Sequence, residues 1–561
     1  MRRWFWIAVV VAVGVAWYRL LPPSPVTLAV SATGATLAPI RGAIHVHTRR
    51  SDGTGTVDEV AAAARRAGLQ FVILTDHGDG TRGSDTPVYR NGVLCIDAVE
   101  ISTNGGHVVA LGLPQSEFPL AGEVGDVIED IHRMGGMSIA AHADSPRAEL
   151  RWNDWKAAVD GVEWLNGDSQ WRDEGWGTLA RALLTYPFRG APTLATLLDR
   201  PDDLLSRWDS LHRERSVVAV AAADAHARVG PGGDPYGRSL SLHLPSYEQI
   251  FRTFSISLPQ VQLHGNAPED AGVVLDAIRG GRLYSTIDAI AGPAIFTLTA
   301  TSGSQRAVMG DRLALDGPVT VRVESNGPDG SIIRLLAEGK TIASGPPPVL
   351  EYAAPAQTAL YRVEIDAPGA PGTPPTPWLV SNPIYVGTPA TPDTSSTAAP
   401  PAQTVALYSN GSATDWRVEK SVRSEGTIGT ARSVGGTQLL LRYGLGGTLS
   451  ESPYVAAVVA ASAEIADFKG VMFTARAMRP MRLTFELRAT GAGDRRWGRS
   501  VYLDDTARTV TILFDEMLPM GTASGSPALE DVRDLLFVVD TVHAKQGSSG
   551  QVWLDEIRYV R

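Results

Sequence analysis

Short apolar runs in this chain repeatedly end in a histidine or an acid, and that punctuation restricts the folds open to it. His45 and His47 close A-I-H-V-H-T, Asp52 follows in S-D-G, and His77 ends L-T-D-H. Glu100 lies in A-V-E-I-S-T, His107 in G-G-H-V-V-A-L-G, His142 in I-A-A-H-A-D, and Asp224 with His226 in A-A-A-D-A-H-A. Six of the eleven histidines, with three acids, thus lie on or just past predicted strands. Nine nitrogen and oxygen donors exceed what one ion can use. The pattern predicts a multinuclear metal centre, and such a centre points to hydrolysis.

Between Ala43 and Ile290 short apolar strands alternate with helical stretches. Val57–Ala67 reads as a helix closed by Gly68, Gly125–Met134 and Ala271–Arg279 as two more, and F-V-I-L, V-L-C-I, H-V-V-A-L and S-V-V-A-V-A-A-A as strands. That alternation predicts a parallel sheet or barrel, and barrel enzymes carry their chemistry at the C-terminal ends of the strands. A strand sends residues i and i+2 to one face. His45 pairs with His47 around Val46 on that rule, and Asp224 with His226 around Ala225. From Ala291 the character changes to short strands with period-two alternation and Gly/Pro turns, predicting a small Ig-like β-sandwich over 291–388. Residues 389–403 (P-A-T-P-D-T-S-S-T-A-A-P-P-A-Q) form a Pro/Thr/Ser linker. A second all-β unit, jelly-roll-like, fills 404–561.

The ordered set H-V-H, S-D-G, T-D-H, V-E, H-V, A-H and D-A-H resembles the polymerase and histidinol phosphatase (PHP) metal-dependent phosphoesterases, over about 240 residues from Ala43 to Ile290. The resemblance implies a distorted (β/α)7 barrel at 43–290 with a di- or trinuclear site. It implies His45, His47, Glu100 and Asp224 around one ion, Glu100 bridging to a second held by His107 and His142, and Asp52, His77 and His226 around a third. Glu100, Asp224 and His226 are the residues it places closest to catalysis. Some relatives carry His where this chain has Asp52. Ala143 and Ala222–Ala223 stand where the family often has Pro and Gly-Ser. The activity implied is hydrolysis of a phosphate mono- or diester of a small substrate, by a hydroxide shared between two or three divalent ions. Imidazole and carboxylate without thiolate suit Zn²⁺, Mn²⁺ or Fe²⁺. Arg147 and Arg228 are the candidate phosphate clamps, and Arg49 and Arg50, between His47 and Asp52, are similar candidates. Asp76 reads equally as an acceptor orienting a ligand or as a capping residue.

A net charge of −10 argues against a nucleic-acid polymer as partner, since that needs clustered cations. Cys95 is the only cysteine, so disulfides and thiolate zinc sites are excluded. Arg2 and Arg3 precede the apolar run Trp4–Leu21, broken by Arg19. Residues 1–22 are expected to be a transmembrane signal anchor, with a cleaved export signal as the rival reading. Positive charge before the span would place the protein single-pass in the inner membrane with its catalytic domain periplasmic. The C-terminal region is similar to carbohydrate-binding jelly rolls, chiefly through V-W-L-D-E-I-R-Y-V, which suggests an envelope glycan as partner. Trp416, Trp497 and Trp553 read either as sugar-stacking platforms or as core. Two rival functions remain beside the phosphoesterase: an amide or lactone hydrolase on the same scaffold, and a non-catalytic envelope glycan-binding protein. His132, His212, His243, His264 and His543 fit no motif.

Overall fold

The structure, a computed structural model, describes residues 2–29, 38–228, 244–387, 404–433, 436–491 and 495–561. The linker expected at 389–403 and His243 lie outside the described residues. Two expectations are corrected. The chain is multidomain and mostly β sheet with few helices, not an anchored protein with a distorted (β/α)7 barrel ahead of its β domains. From Val93 to Leu111 it passes through three successive strands, and the turn at Asn104–Gly105 leaves no room for a crossover helix. The N-terminal run does form a helix, Arg2–Leu20. No described helix, however, is long and apolar enough to cross a membrane. Arg3 and Arg19 leave only Trp4–Tyr18 between them, roughly 22 Å of helix against the ~30 Å of a hydrocarbon core. That overturns the transmembrane anchor and the single-pass inner-membrane placement built on it, and leaves the membrane partner and the periplasmic placement without support. The end of this helix lies on protein. Trp17 meets Phe188 edge-on at 4.3 Å, and Arg181 and Arg189 donate to the carbonyls of Leu20 and Pro22.

The chain divides into two compact units, one of Met1–Gly78, Ser84–Pro114 and Ile131–Pro392, the other of Asp79–Gly83, Gln115–Asp130 and Asp393–Arg561. Among the four sheets of the first unit, two carry the histidines and acids. In one, Val218–Ala222, Gly161–Asn166, Met137–Ala140, Gly106–Leu111 and Val99–Thr103 lie in that order. The first three are parallel, and Gly106–Leu111 runs against both its neighbours. In the other, Ile40–Val46, Phe71–Leu74 and Val93–Asp97 are parallel, and Ser255–Leu258 pairs antiparallel with Ile40–Val46. Every residue of Phe71–Leu74, Val93–Asp97, Met137–Ala140, Gly161–Asn166 and Val218–Ala222 is buried. Covered on both faces, these strands read as continuous apolar runs instead of alternating ones.

The two sheets are joined where the histidines and acids lie. Val46 bridges Ala225, and His77 bridges Glu100, both in parallel sense. His47 N–H donates to Ala225 O (3.0 Å) and Gly78 N–H to Glu100 O (3.0 Å). The helix Val57–Arg66 that follows the first strand starts from a capping box, with Thr56 and Glu59 each bonding the other's backbone N–H. Its buried Val60, Ala61, Ala63 and Ala64 pack beneath Val72 and Leu74. The second sheet continues from Ser255–Leu258 through Tyr284–Thr286 into Leu379–Ser381 and Ala359–Asp366. Buried Arg362 pairs there with Asp209 (2.6 Å) and Glu364 (2.7 Å), which satisfies its charge.

The second unit is a sandwich of two six-stranded sheets, antiparallel at every pairing of 417–420, 454–460, 532–540, 481–489, 495–503 and 518–521. Phe473, Phe485 and Phe537 pack as an aromatic cluster in its core. Trp416 and Trp497 belong to that core, at 7% and 3% exposure, so neither offers a face to a sugar. Trp553 is half-buried and the Arg476 guanidinium lies 3.8 Å over its ring. Buried Arg482 is held by Asp126, Glu129 and Asp130 of the same unit.

Candidate metal centre

The nine donors come from strand ends and the loops just past them. His45 lies on Ile40–Val46 with His47 one residue beyond, Glu100 on Val99–Thr103, and His107 on Gly106–Leu111. His142 follows Met137–Ala140, Asp224 and His226 follow Val218–Ala222, and Asp52 lies in the turn after His47. Glu100, 1% exposed, is the centre of the group. Its Oε2 lies 3.3 Å from His45 Nε2, 3.3 Å from His47 Nε2 and 3.1 Å from His77 Nδ1. Its Oε1 lies 2.7 Å from His107 Nδ1 and 2.9 Å from His142 Nε2. Asp224 Oδ1 stands opposite, 3.5 Å from His45 Nε2 and 3.4 Å from His47 Nε2. Asp52 closes the open side, 3.2 Å from His226 Nε2 and 3.7 Å from His77 Nε2.

The convergence does not come from a regular pleat. Ile40–Val46 loses register between Ala43 and Val46, and His45 takes a left-handed φ of +63°. Asp224 (φ +43°) and His142 (φ +32°) are left-handed too. Side chains with a Cβ rarely adopt this region and need surrounding structure to hold them there.

Hydrogen bonds set which ring nitrogen of four of the histidines faces inward. His45 Nδ1–H donates to Glu163 Oε1 (2.5 Å), His142 Nδ1–H to Leu150 O (3.0 Å) and His226 Nδ1–H to Asp224 O (3.1 Å). Carboxylate and carbonyl oxygens only accept, so in the neutral ring each Nε2 lone pair is left facing the cluster. Ser51 does the same for His47. Its hydroxyl donates to Asp76 Oδ1 (2.7 Å) and accepts from His47 Nδ1 (3.3 Å). Asp76 also accepts from Thr48 N–H and the Thr48 hydroxyl, both at 2.7 Å. It therefore caps the loop that carries Asp52 and steers His47 through Ser51, instead of orienting its neighbour His77.

The electrostatics are those of a cage of opposite charges. Burial disfavours the charged form of His47, but the Asp224 and then the Glu100 carboxylates facing its ring outweigh it and push the ring up to about 10. His142, buried likewise, is carried up to about 9 by Glu100. At His45 burial is outweighed by Glu163, Asp224 and Glu100. Glu100 and Asp224 are held well below the carboxylate range, against burial, chiefly by His45. His77 is pushed down by burial. The fit to divalent cations rests on the donors themselves. His45 Nε2, His47 Nε2 and Asp52 Oδ1 are buried and lack a hydrogen-bond partner, although such atoms are costly to bury unpaired. Three overlapping groups have ligand atoms within 4.8 Å of one another: His47, Asp52, His77 and His226; His45, His47 and Asp224; His77, Glu100 and His107.

The candidate arginines do not share this convergence. Arg147 is exposed, and Arg228 is half-buried two residues beyond His226. Arg50 is committed to Asp85 and Asp97, and Arg49 to the Thr54 carbonyl. His132 pairs with Asp160 and Cys95 is buried. Two buried polar residues escaped the sequence reading, Glu163 and Asn166 of Gly161–Asn166. Their signal was present in G-V-E-W-L-N, a charge and an amide inside a continuous apolar strand.

No family model matches the chain. The chain is 30% identical over 122 residues to the 3',5'-nucleoside bisphosphate phosphatase of Chromobacterium violaceum, covering 20% of this chain and 43% of that protein. It thus spans less than half the length of the curated relative it matches. Among solved structures it is similar to a family 11 carbohydrate-binding module of a Clostridium thermocellum cellulase, at 15% identity, covering 28% of this chain and 94% of the module, with a TM-score of 0.24. A family 30 module from the same organism matches at 10% identity over 28% of this chain and 97% of the module, with a TM-score of 0.22.

Proposed function

We propose that this chain is a metal-dependent phosphoesterase acting on a small phosphorylated substrate, with His45, His47, Asp52, His77, Glu100, His107, His142, Asp224 and His226 holding two or three divalent ions. The observation that carries the reading is the Glu100 carboxylate, buried and ringed by five histidine nitrogens at 2.7–3.3 Å, beside donor atoms with no hydrogen-bond partner of their own. The stretch of identity to a phosphatase supports the bond class. Bound ions would supply Lewis acidity and a positive field for an anionic phosphate. The chain's own residues do the rest. His45, His47, Glu100 and Asp224 form a dry floor, whereas the side chains of Asp52, His77 and His226 are 29%, 36% and 20% exposed. Substrate therefore enters over Asp52, His77 and His226, and the floor excludes water from beneath it. Arg228, two residues past His226, is the first candidate to receive the phosphate oxygens, and Arg147 is the second.

The test is a panel on the full chain with Mn²⁺, Zn²⁺ or Fe²⁺, containing aryl phosphate mono- and diesters and a nucleoside 3',5'-bisphosphate. Release of phosphate or of the alcohol, lost in Asp224→Ala, is the expected result. Amide or lactone hydrolysis with no phosphoester turnover would overturn it.

A further inference from the structure

We propose that Glu163 and Asn166 form a clamp that positions the ligands of the metal centre without touching the ions. The inference rests on the reading of the nine donors as ligands. Glu163 is 1% exposed, and both its oxygens are used. Oε1 accepts from His45 Nδ1–H at 2.5 Å. Oε2 accepts from the His142 backbone N–H at 2.6 Å and from Asn166 Nδ2 at 2.8 Å. Asn166, fully buried, passes the connection on, since the same Nδ2 lies 3.1 Å from Asp224 Oδ2. The amide cannot turn round. Its Oδ1 accepts from the backbone N–H groups of Asp168 (3.1 Å) and Ser169 (3.0 Å), which fixes Nδ2 on the carboxylate side.

The three ligands joined in this way, His45, His142 and Asp224, are the three donors with left-handed backbone. Each such residue is strained and persists only where its surroundings over-determine it. One carboxylate and one amide supply that over-determination. They hold His45 in the Nδ1–H form, so that Nε2 remains a donor to metal. They also hold the backbone of His142 and one oxygen of Asp224, leaving Asp224 Oδ1 facing His45 and His47. Glu163 and Asn166 are thus positioning residues, three apart on one strand, reaching ligands on or just past three others.

Glu163→Gln separates this role from packing. The glutamine has the same shape, but its amide NH₂ must face either His45 Nδ1–H or the His142 N–H, both donors. It can satisfy one only by opposing the other or by forcing His45 into the wrong tautomer. Asn166→Asp keeps both backbone bonds from residues 168 and 169 and replaces the donor by an oxygen facing two carboxylates. The measurement is Mn²⁺ and Co²⁺ binding by calorimetry on the full chain, with the visible spectrum of the Co²⁺ form, alongside unfolding of chelator-treated protein. Both variants are expected to bind 10–100-fold more weakly than wild type. An altered Co²⁺ spectrum and an unfolding midpoint within a few degrees of wild type should accompany that loss. Wild-type affinity and spectrum in both variants would overturn the clamp while leaving the phosphoesterase reading standing. Less than one equivalent bound by the wild type itself would overturn both. If Glu163→Gln does not fold, Asn166→Asp decides the question alone.

Discussion

At the scale of single residues the centre is a problem in hydrogen-bond direction. Four histidines are turned by acceptors behind them, namely Glu163, Ser51, Leu150 and Asp224. None of these could be paired with its histidine from spacing, because the partners lie from 2 to 118 positions away. The donors themselves were nameable, since each stands in its own short motif. A titratable histidine outside the centre makes a separate prediction. His212 is pushed down to about 3 by burial and then by the Arg362 charge, and its Nδ1 lies 3.3 Å from the Tyr385 hydroxyl. The unfolded chain binds the proton near pH 6.5 and the folded chain does not, so stability is lost as pH falls from 6.5 towards 3. Between pH 7 and 4.5 the wild type should lose roughly 2–3 kcal/mol more than His212→Gln in urea unfolding. Equal losses in the two proteins would refute the assignment.

At the scale of elements, local chemistry was legible and sheet closure was not. The helix read at 57–67 is observed at Val57–Arg66, and the one read at 125–134 at Val124–Arg133, because capping residues and periodicity are local signals. The reading of His45 and His47 as neighbours on a regular strand face was too simple. A lost register and a positive φ bring them together, and sequence alternation carries neither. Thr56 makes this scale testable. It caps the helix and ends the loop that carries Asp52, so Thr56→Ala should cost about 0.5–2 kcal/mol in denaturant unfolding. A change under about 0.3 kcal/mol would mean that the cap contributes nothing.

At the scale of the whole molecule, the two units each have their own core, and the metal donors all belong to the first. Saturating Mn²⁺ or Zn²⁺ at about 100 times its Kd should stabilise that unit by ~2.7 kcal/mol and leave the second unchanged. Calorimetry should therefore show one transition moving and the other fixed, and a shift of both would contradict the division. The N-terminal helix shows the limit of composition as a guide. An apolar run framed by aromatics suggested a span, but Arg3 and Arg19 shorten its apolar length below a bilayer core. By itself the sequence determined which nine donors to single out, where the local elements begin, and that β structure takes over after residue 291, because each is written in neighbouring residues or in a short period. Only the tertiary structure decided that two sheets meet at Val46–Ala225 and His77–Glu100, that Glu163 and Asn166 join His45, His142 and Asp224, and that Trp416 and Trp497 are core. Those outcomes depend on contacts between strands far apart in the chain, whose free energy no local pattern records.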